Sequence, residues 1–255
     1  MEFGDRLTLA FMTQMFSHPK GRAHLLSMAS DAESSGEGRV FEELLKRKGD
    51  SELQRLVVRH RDDEIRHAEL LAERCRENAA QFGGEIPKVP AHLRLIDRLD
   101  RALGGFFSRE LRTDEDVMRA YLVLQVIEER AITQFDMYVK AMEQVDPKSA
   151  QTFREIGQDE ARHLRYCHAI AKRYAPSAEV HAKELMHIRA VEARVFAENS
   201  NDNLYFALEH DLLPVSWPVR LGWRAIGAVA RAMRVSRWTS YAQLPPGAQL
   251  IPAEA

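Results

Sequence analysis

The chain has 255 residues, of which 45% are apolar and 29% are charged, and its formal net charge is −2. This balance is ordinary for a globular protein with a core, and the near-neutral charge gives no electrostatic reason to expect a nucleic acid partner. No long uncharged apolar run predicts a transmembrane helix, and the acidic N-terminus does not resemble a secretory signal, so we expect a cytoplasmic protein. The two cysteines, Cys75 and Cys167, form no CxxC motif, which excludes a rubredoxin-type iron site.

Helical periodicity is nearly continuous along the chain and strand patterns are almost absent, which predicts an all-α protein. A GGEIPKVPA linker and an Asp-Pro step separate the first elements, and prolines interrupt the C-terminal part. In chain order the predicted helices lie near residues 20–47, 51–82, 92–111, 113–145, 147–174 and 177–211, with a last helix ending near residue 238. We therefore expect a bundle over residues 1–175 and a C-terminal helical extension over residues 176–255, which is not an independent domain.

The second and fourth long helices carry copies of one motif. Asp63-Glu64-Ile65-Arg66-His67 recurs as Asp159-Glu160-Ala161-Arg162-His163. The four long helices therefore look like a duplicated helical hairpin, and the shorter helix near residues 92–111 fills the crossover between the two copies. This arrangement predicts a ferritin-like four-helix bundle with a crossover helix.

The repeated motif also predicts a site for two metal ions. A Glu-x-x-His pair puts both side chains on one helix face, one turn apart, so each copy can hold one ion. The partner helices must each add a carboxylate, because carboxylates neutralise and bridge two cations. The predicted ligands are Glu33, Glu64, His67, Glu128, Glu160 and His163.

The two added carboxylates are chosen by their positions on apolar helix faces. Glu33 is the one charge on its stripe, and a buried carboxylate is costly unless it binds a cation. Glu128 shares an apolar stripe with Tyr121 and Phe135, whereas Glu129 lies on the face of Gln125 and is the weaker candidate.

Two further histidine positions could be taken for metal ligands. His60 lies one turn before Glu64, so it is either an additional ligand or a core histidine hydrogen-bonded to Glu33 or to backbone. The third Glu-x-x-His sequence, Glu184 to His187, lacks the repeated context, and we expect it to be solvated or structural.

The paired DExRH motifs resemble those of the ferritin-like di-iron carboxylate superfamily, over about residues 20–175. They are similar to the signatures of bacterial multicomponent monooxygenase hydroxylases and tRNA-modifying di-iron hydroxylases. The resemblance implies two iron ions, or an iron–manganese pair, with O₂ as co-substrate. It also implies that Asp63 bonds His163 and Asp159 bonds His67, with Arg66 and Arg162 completing the surroundings of the ligands.

Within this superfamily we expect an O₂-activating oxidase or hydroxylase that acts on a small organic molecule. The chain carries no electron-transfer motif, so an external donor such as a reductase or ferredoxin is implied. The small residues beside Glu33 indicate either space for a substrate or close helix packing. The predicted pocket residues are Gly36, Val40, Tyr121 and Phe135. The alternatives are a ferroxidase or metal-handling protein, and a bundle that has lost its metal and serves as an adaptor; the oligomeric state, a homo-oligomer included, is left open.

The last predicted helix, within residues 214–238, differs chemically from the rest of the chain. Arg220, Arg224, Arg231 and Arg234 fall on one face, and an apolar face with Trp223 lies opposite. Such a helix suits an anionic membrane surface, which would place the protein at the inner face of the membrane, or an acidic partner. The alternative is that the apolar face packs on the bundle and the arginines meet its acidic surface.

Overall fold

The computed structural model describes residues 3–35, 38–47 and 49–232, and this part of the chain is helical without strands. Short 3₁₀ turns lie at Ala91–Leu93 and Phe106–Ser108. The α-helices in chain order are α1 (Phe3–Phe16), α2 (Pro19–Ser35), α3 (Gly38–Leu45), α4 (Ser51–Phe82), α5 (Leu95–Ala102), α6 (Asp114–Met142), α7 (Pro147–Arg173), α8 (Ala178–Glu209) and α9 (Trp217–Ala232). The all-α prediction is confirmed for the described residues.

Polar caps start the four longest helices and explain where they begin. Thr113 and Asp116 form a capping box at α6, and Asp146 and Ser177 cap α7 and α8. At α4 the cap is Asp50, whose carboxylate accepts a hydrogen bond from the Leu53 N–H at 2.9 Å. The left-handed Gly83, with φ of 70°, ends α4 at the predicted position.

Other boundaries differ from the sequence prediction. The predicted helix over residues 20–47 is described as two helices, α2 and α3. The predicted crossover helix over residues 92–111 shrinks to α5, because Gly104 and Gly105 adopt φ of 76° and 74° and end it. Helix α1 was not predicted, and the predicted last six residues of the final helix lie outside the described residues.

Ion pairs and hydrogen bonds fix the relative directions of the long helices. Arg22, near the start of α2, donates to Asn78 near the end of α4, so these two helices are antiparallel. Arg173, at the end of α7, pairs with Asp50 at the start of α4, so α4 and α7 are also antiparallel. The four-residue connection between α6 and α7 makes these two helices neighbours of opposite direction.

Two apolar clusters fill the space between the helices and leave a polar layer between them. One cluster contains Val57 of α4, Leu124 of α6 and Cys167 of α7. The other contains Leu71 and Phe135 of the same helices α4 and α6, with further side chains of α1, α2, α7, α8 and α9. The predicted ligands of α4, α6 and α7 fall between these positions along each helix, so the packing itself positions them at one level.

The extension packs on this helical body through α8 and α9. Arg130 of α6 and Glu192 of α8 form a two-point ion pair at 2.7 and 2.9 Å, with side chains only 5% and 1% exposed. On α9, Trp223 is buried and donates to the Gln14 side chain of α1 at 2.7 Å. The described part of the extension is therefore in contact with helices of the first 175 residues.

The arginines of α9 are partly engaged within the chain. Arg220 pairs with Asp211 at 2.5 Å and Arg231 with Asp202 at 2.6 Å, so these arginines meet acidic residues of the extension itself, whereas the packing alternative placed their partners on the bundle. Trp217 and Leu221 nevertheless remain exposed, and membrane or partner contact through this helix stays a prediction. No described helix combines the length and the apolar character that crossing a bilayer requires.

The Arg130–Glu192 pair predicts how strongly α8 depends on α6. Arg130→Ala should lower the free energy of unfolding by about 3 kcal/mol, because it leaves the Glu192 carboxylate buried without its partner. Arg154→Ala is the matched control: its pair with Glu143 is exposed, so the loss should stay below about 1 kcal/mol. Urea denaturation of the two variants measures both values, and equal losses would contradict the importance of the buried pair.

Candidate metal centre

The six predicted ligands and His60 come together in two adjacent groups. One group contains His60, Glu64, Glu128 and His163, and the other contains Glu33, Glu64, His67 and Glu160. Within each group the ligand atoms lie within 4.8 Å of one another. Glu64 belongs to both groups, which is the position expected of a carboxylate that bridges two ions.

Separations in the first group are close to those of ligands that share one ion. His60 Nε2 lies 3.1 Å from Glu64 Oε1 and 3.0 Å from Glu128 Oε1. His163 Nδ1 lies 3.4 Å from Glu64 Oε1 and 3.6 Å from Glu128 Oε1. Two ligands at about 2.1 Å from a common ion stand about 3 Å apart when they subtend a right angle.

The second group is built across the two motif copies. His67 Nδ1 of α4 lies 3.1 Å from Glu160 Oε1 of α7 and 3.5 Å from Glu33 Oε2 of α2. The sequence suggested that each Glu-x-x-His pair holds its own ion. Glu64 and His67 of the first copy share the second group, and His163 Nδ1 lies 2.9 Å from Glu160 Oε2 of its own copy. The antiparallel crossing of α4 and α7 also brings the glutamate of each copy close to the histidine of the other.

The far side of each ligand histidine contacts an aspartate of the opposite helix. His67 Nε2 lies 3.3 Å from Asp159 Oδ2, and His163 Nε2 lies 3.2 Å from Asp63 Oδ2. These are the contacts that the resemblance implied. An aspartate at Nε2 favours the tautomer with its proton there, which leaves the Nδ1 lone pair directed at the glutamates.

Two arginines complete this arrangement by linking the aspartates across the helices. Arg162 donates to Asp63 at 2.7 Å and to Asp159 at 2.6 Å, and Arg66 bonds both aspartates as well. Burial opposes ionisation of Asp63, but His163 and the two arginines outweigh it and lower its pKa to about 2. Both aspartates therefore stay charged and hold the imidazoles in place.

The glutamates are buried with an excess of negative charge. Burial, together with Glu33 and Glu160, raises the pKa of Glu64 well above its ordinary value, and burial raises that of Glu160. Burial lowers the pKa of His67, but Glu160 and Glu33 outweigh this effect and raise it to about 10. The same balance, with Glu128 and Glu160 as the carboxylates, raises the pKa of His163 to about 11.

Three buried atoms of the site show that the chain's own groups do not satisfy it. Glu64 Oε1, His67 Nδ1 and Glu160 Oε1 have neighbours about 3 Å away, yet their directions allow no hydrogen bond. Once His67 gives up its Nδ1 proton, these buried lone pairs fit bound cations, and two divalent ions would balance the four glutamates. The residues present therefore fit a pair of metal ions.

Helix α6 presents Glu128 to the site and turns Glu129 away from it. The Glu129 carboxylate accepts hydrogen bonds from Arg189 Nε at 2.8 Å and from Gln125 Nε2 at 2.9 Å. It is buried but has its charge balanced by α8, whereas Glu128 faces the two histidines of the first group. The choice between these neighbours therefore agrees with the geometry.

His60 and the third Glu-x-x-His sequence occupy different surroundings. His60 is 1% exposed and belongs to the first group, with its ring centroid 3.9 Å from that of His163. Burial and His163 lower its pKa, so its imidazole is neutral, as a metal ligand must be. Glu184 instead pairs with Arg119 at 2.8 Å and His187 is exposed, which agrees with a structural pair.

A cavity of about 310 Å³ reaches the four glutamates of the site. Glu33, Glu64, Glu128 and Glu160 line it together with mainly apolar side chains from α1, α2, α6, α8 and α9. Examples of these apolar residues are Phe11, Met12, Met28, Ala131, Phe135 and Trp223. The cavity therefore connects the candidate metal centre to the region where the extension packs.

The predicted pocket residues need correction against this cavity. Phe135 lines it, but Val40 and Tyr121 are buried in the other apolar cluster, beyond the level of the ligands. Large neighbours such as Phe41 fill the space around them, so this end of the helices is packed. Gly36 lies outside the described residues.

Sequence reasoning missed most of the cavity. The sequence predicted no helix at α1, and it predicted α8 only as part of a C-terminal extension, without assigning any of its residues to the site. The pair of Arg130 and Glu192, which borders the cavity, joins residues 62 apart in sequence. No local pattern reports a contact of that kind.

Comparisons with protein-family models, with curated proteins and with solved structures find no match to this chain. The resemblance to di-iron proteins therefore rests on the motif residues and on their surroundings.

The positions of Glu128 and Glu129 predict opposite effects on metal content. Glu128→Ala should remove at least one of two bound ions, because it deletes a carboxylate from the first group. Glu129→Ala should keep the metal content of the parent, because it removes a partner of Arg189 and Gln125. Elemental analysis of both purified variants is the measurement, and metal loss from Glu129→Ala alone would reverse the assignment.

The raised histidine pKa values predict that metal binding releases protons. Without metal, His67 and His163 have pKa values of about 10 and 11, so both are protonated near neutral pH. The two ions need the Nδ1 lone pairs of His67 and His163, so binding should expel at least two protons and tighten as the pH rises from about 6 to 9.

Calorimetry in two buffers of different ionisation enthalpy counts these protons. His187→Ala, which removes an exposed histidine, is the control and should release as many as the parent. A metal affinity that does not change with pH would refute the charge balance described above.

Proposed function

We propose that this chain is a ferritin-like di-iron carboxylate protein that uses O₂ to oxidise an organic substrate. The observation that carries the proposal is the apolar cavity that the four glutamates line directly. A molecule in this cavity would lie next to a metal pair held by the glutamates. The cavity has the size of a small ligand and mostly apolar walls, which suits an organic molecule.

The ligand set supports iron or an iron–manganese pair as the metal. Carboxylate oxygens and imidazole nitrogens suit hard, redox-capable ions, and the two groups contain no cysteine. Such a pair, when bound, supplies the binding and reduction of O₂. Glu33, Glu64, His67, Glu128, Glu160 and His163 would hold it, with His60 as an additional ligand.

The remaining residues of the site act on those ligands. Asp63 and Asp159 fix the tautomers of the opposite histidines, and Arg66 and Arg162 hold the aspartates. Apolar side chains such as Phe135 surround the glutamates on the cavity walls and lower the local polarity, which strengthens the attraction between these carboxylates and a cation. An external reductase or ferredoxin would deliver the electrons, because the sequence contains no electron-transfer motif.

The same cavity argues against iron oxidation as the main activity. A ferroxidase must pass Fe²⁺ ions to its centre, and hydrated cations need polar walls along their path. The walls beside the glutamates are mostly apolar instead. An adaptor without metal is disfavoured by the buried, unsatisfied atoms of Glu64, His67 and Glu160.

Metal content and O₂ consumption test this function. Protein from iron-replete cells should hold about two metal ions per chain, and the reduced form should consume O₂ without added Fe²⁺. Glu64→Ala and His163→Ala should each lose at least one ion and most of the O₂ consumption. Their matched control is Glu184→Ala, which alters the third Glu-x-x-His sequence and should behave like the parent.

The outcomes separate the three functions. O₂ consumption only in the presence of excess Fe²⁺ would identify a ferroxidase. Protein without iron, manganese or zinc would overturn the metal centre and leave the adaptor.

A further inference from the structure

Three buried polar side chains line the cavity without belonging to the metal centre. His24, Gln134 and Asn199 are 3%, 7% and 5% exposed and come from α2, α6 and α8. In each of them one atom makes no hydrogen bond: His24 Nδ1, Gln134 Nε2 and Asn199 Oδ1. Unpaired buried groups of this kind are costly, and a ligand in the cavity could satisfy them.

The walls that carry these groups offer little charge to an ionised ligand. Burial lowers the pKa of His24 to about 4, so its imidazole is neutral at physiological pH. Arg130 and Glu192 also line the cavity, but their charges neutralise each other in the buried ion pair. The other charged residues of the lining are exposed to solvent: Asp31, Arg94 and Asp97. Two divalent ions would balance the four glutamates, so the buried walls of the cavity favour an uncharged occupant.

The three unpaired atoms include both donor and acceptor positions. The Gln134 amide nitrogen donates, whereas the Asn199 amide oxygen and an unprotonated imidazole nitrogen of His24 accept. A ligand hydroxyl can accept from the first and donate to either of the others. A ligand carbonyl can only accept, so it would leave the two acceptors unpaired.

We propose that the cavity binds an uncharged, largely apolar molecule that carries one or more hydroxyl groups, held by His24, Gln134 and Asn199. The inference rests on the proposed function in taking this molecule as the substrate. Gln134 lies six residues beyond Glu128 on α6, which is about 9 Å along the helix axis. A hydroxyl held at Gln134 would place a carbon several bonds away beside the glutamates.

Binding of matched straight-chain compounds tests this inference without any turnover. The purified, metal-loaded protein is titrated under nitrogen by calorimetry with 1-decanol, decanoate and decylamine. Decanol should bind at one site, about tenfold or more tighter than either charged analogue, because only the neutral molecule enters without an unpaired charge. Equal binding of the three compounds would overturn the inference.

Substitutions test whether decanol binds in this cavity and whether Gln134 and Asn199 contact its hydroxyl group. Gln134→Leu and Asn199→Leu should each weaken decanol binding about fivefold, because each removes one hydrogen-bonding group. Gln151→Leu, an exposed glutamine of α7, is the matched control and should bind as the parent does. Ala131→Phe should abolish binding by filling the cavity beside the glutamates.

Circular dichroism establishes that each variant is folded before titration. Decanol binding that survives Ala131→Phe, or that Gln134→Leu and Asn199→Leu leave unchanged, would place the ligand elsewhere and overturn the inference.

Metal content and O₂ consumption of the same preparation separate this inference from the proposed function. Selective decanol binding to a protein that consumes no O₂ would support the cavity assignment and refute the oxidase. O₂ consumption by a protein with no preference for decanol would support the oxidase and refute the cavity assignment.

Discussion

The burial of four glutamates at one level of the helices is the constraint on which the rest of the structure depends. Glu33, Glu64, Glu128 and Glu160 lie between two apolar clusters, where isolated charges are strongly disfavoured. Without metal, the protonated imidazoles of His67 and His163, whose pKa values are raised, offset part of this negative charge. Bound cations would take the place of the protons on these imidazoles. Folding and metal binding are therefore expected to be coupled in this protein.

A second layer of charge keeps the imidazoles from moving. The aspartates on the far side of His67 and His163 are joined by two arginines across α4 and α7, so each histidine is held from both sides. This cross-linking also ties the two motif copies to each other. Neither copy could position its histidine alone, because each imidazole bonds an aspartate that belongs to the other copy.

The extension contributes to the site in a way that its sequence does not reveal. Helix α8 balances the charges of Glu129 and Arg130, two buried residues that follow Glu128 directly on α6. By doing so it holds the rotation of α6 that presents Glu128 to the histidines. Helices α8 and α9 also form walls of the cavity, so any molecule in the cavity would contact the surfaces through which these helices pack.

The sequence by itself determined the repeated motif, the faces of the helices and most helix boundaries, because each of these depends on residues close together in the chain. The DExRH copies predicted four candidate ligands on α4 and α7, and apolar stripes selected Glu33 and Glu128, because helical periodicity shows which residues share a face. The structure brings these six residues together in the two groups. Glycines and prolines marked most boundaries of the long helices. The tertiary structure alone decided the rest: the additional contact of each histidine with the other copy's glutamate, the place of His60, and the cavity. These depend on how helices cross and on pairs such as Arg130 with Glu192, and contacts between distant residues leave no periodic signal in a single sequence.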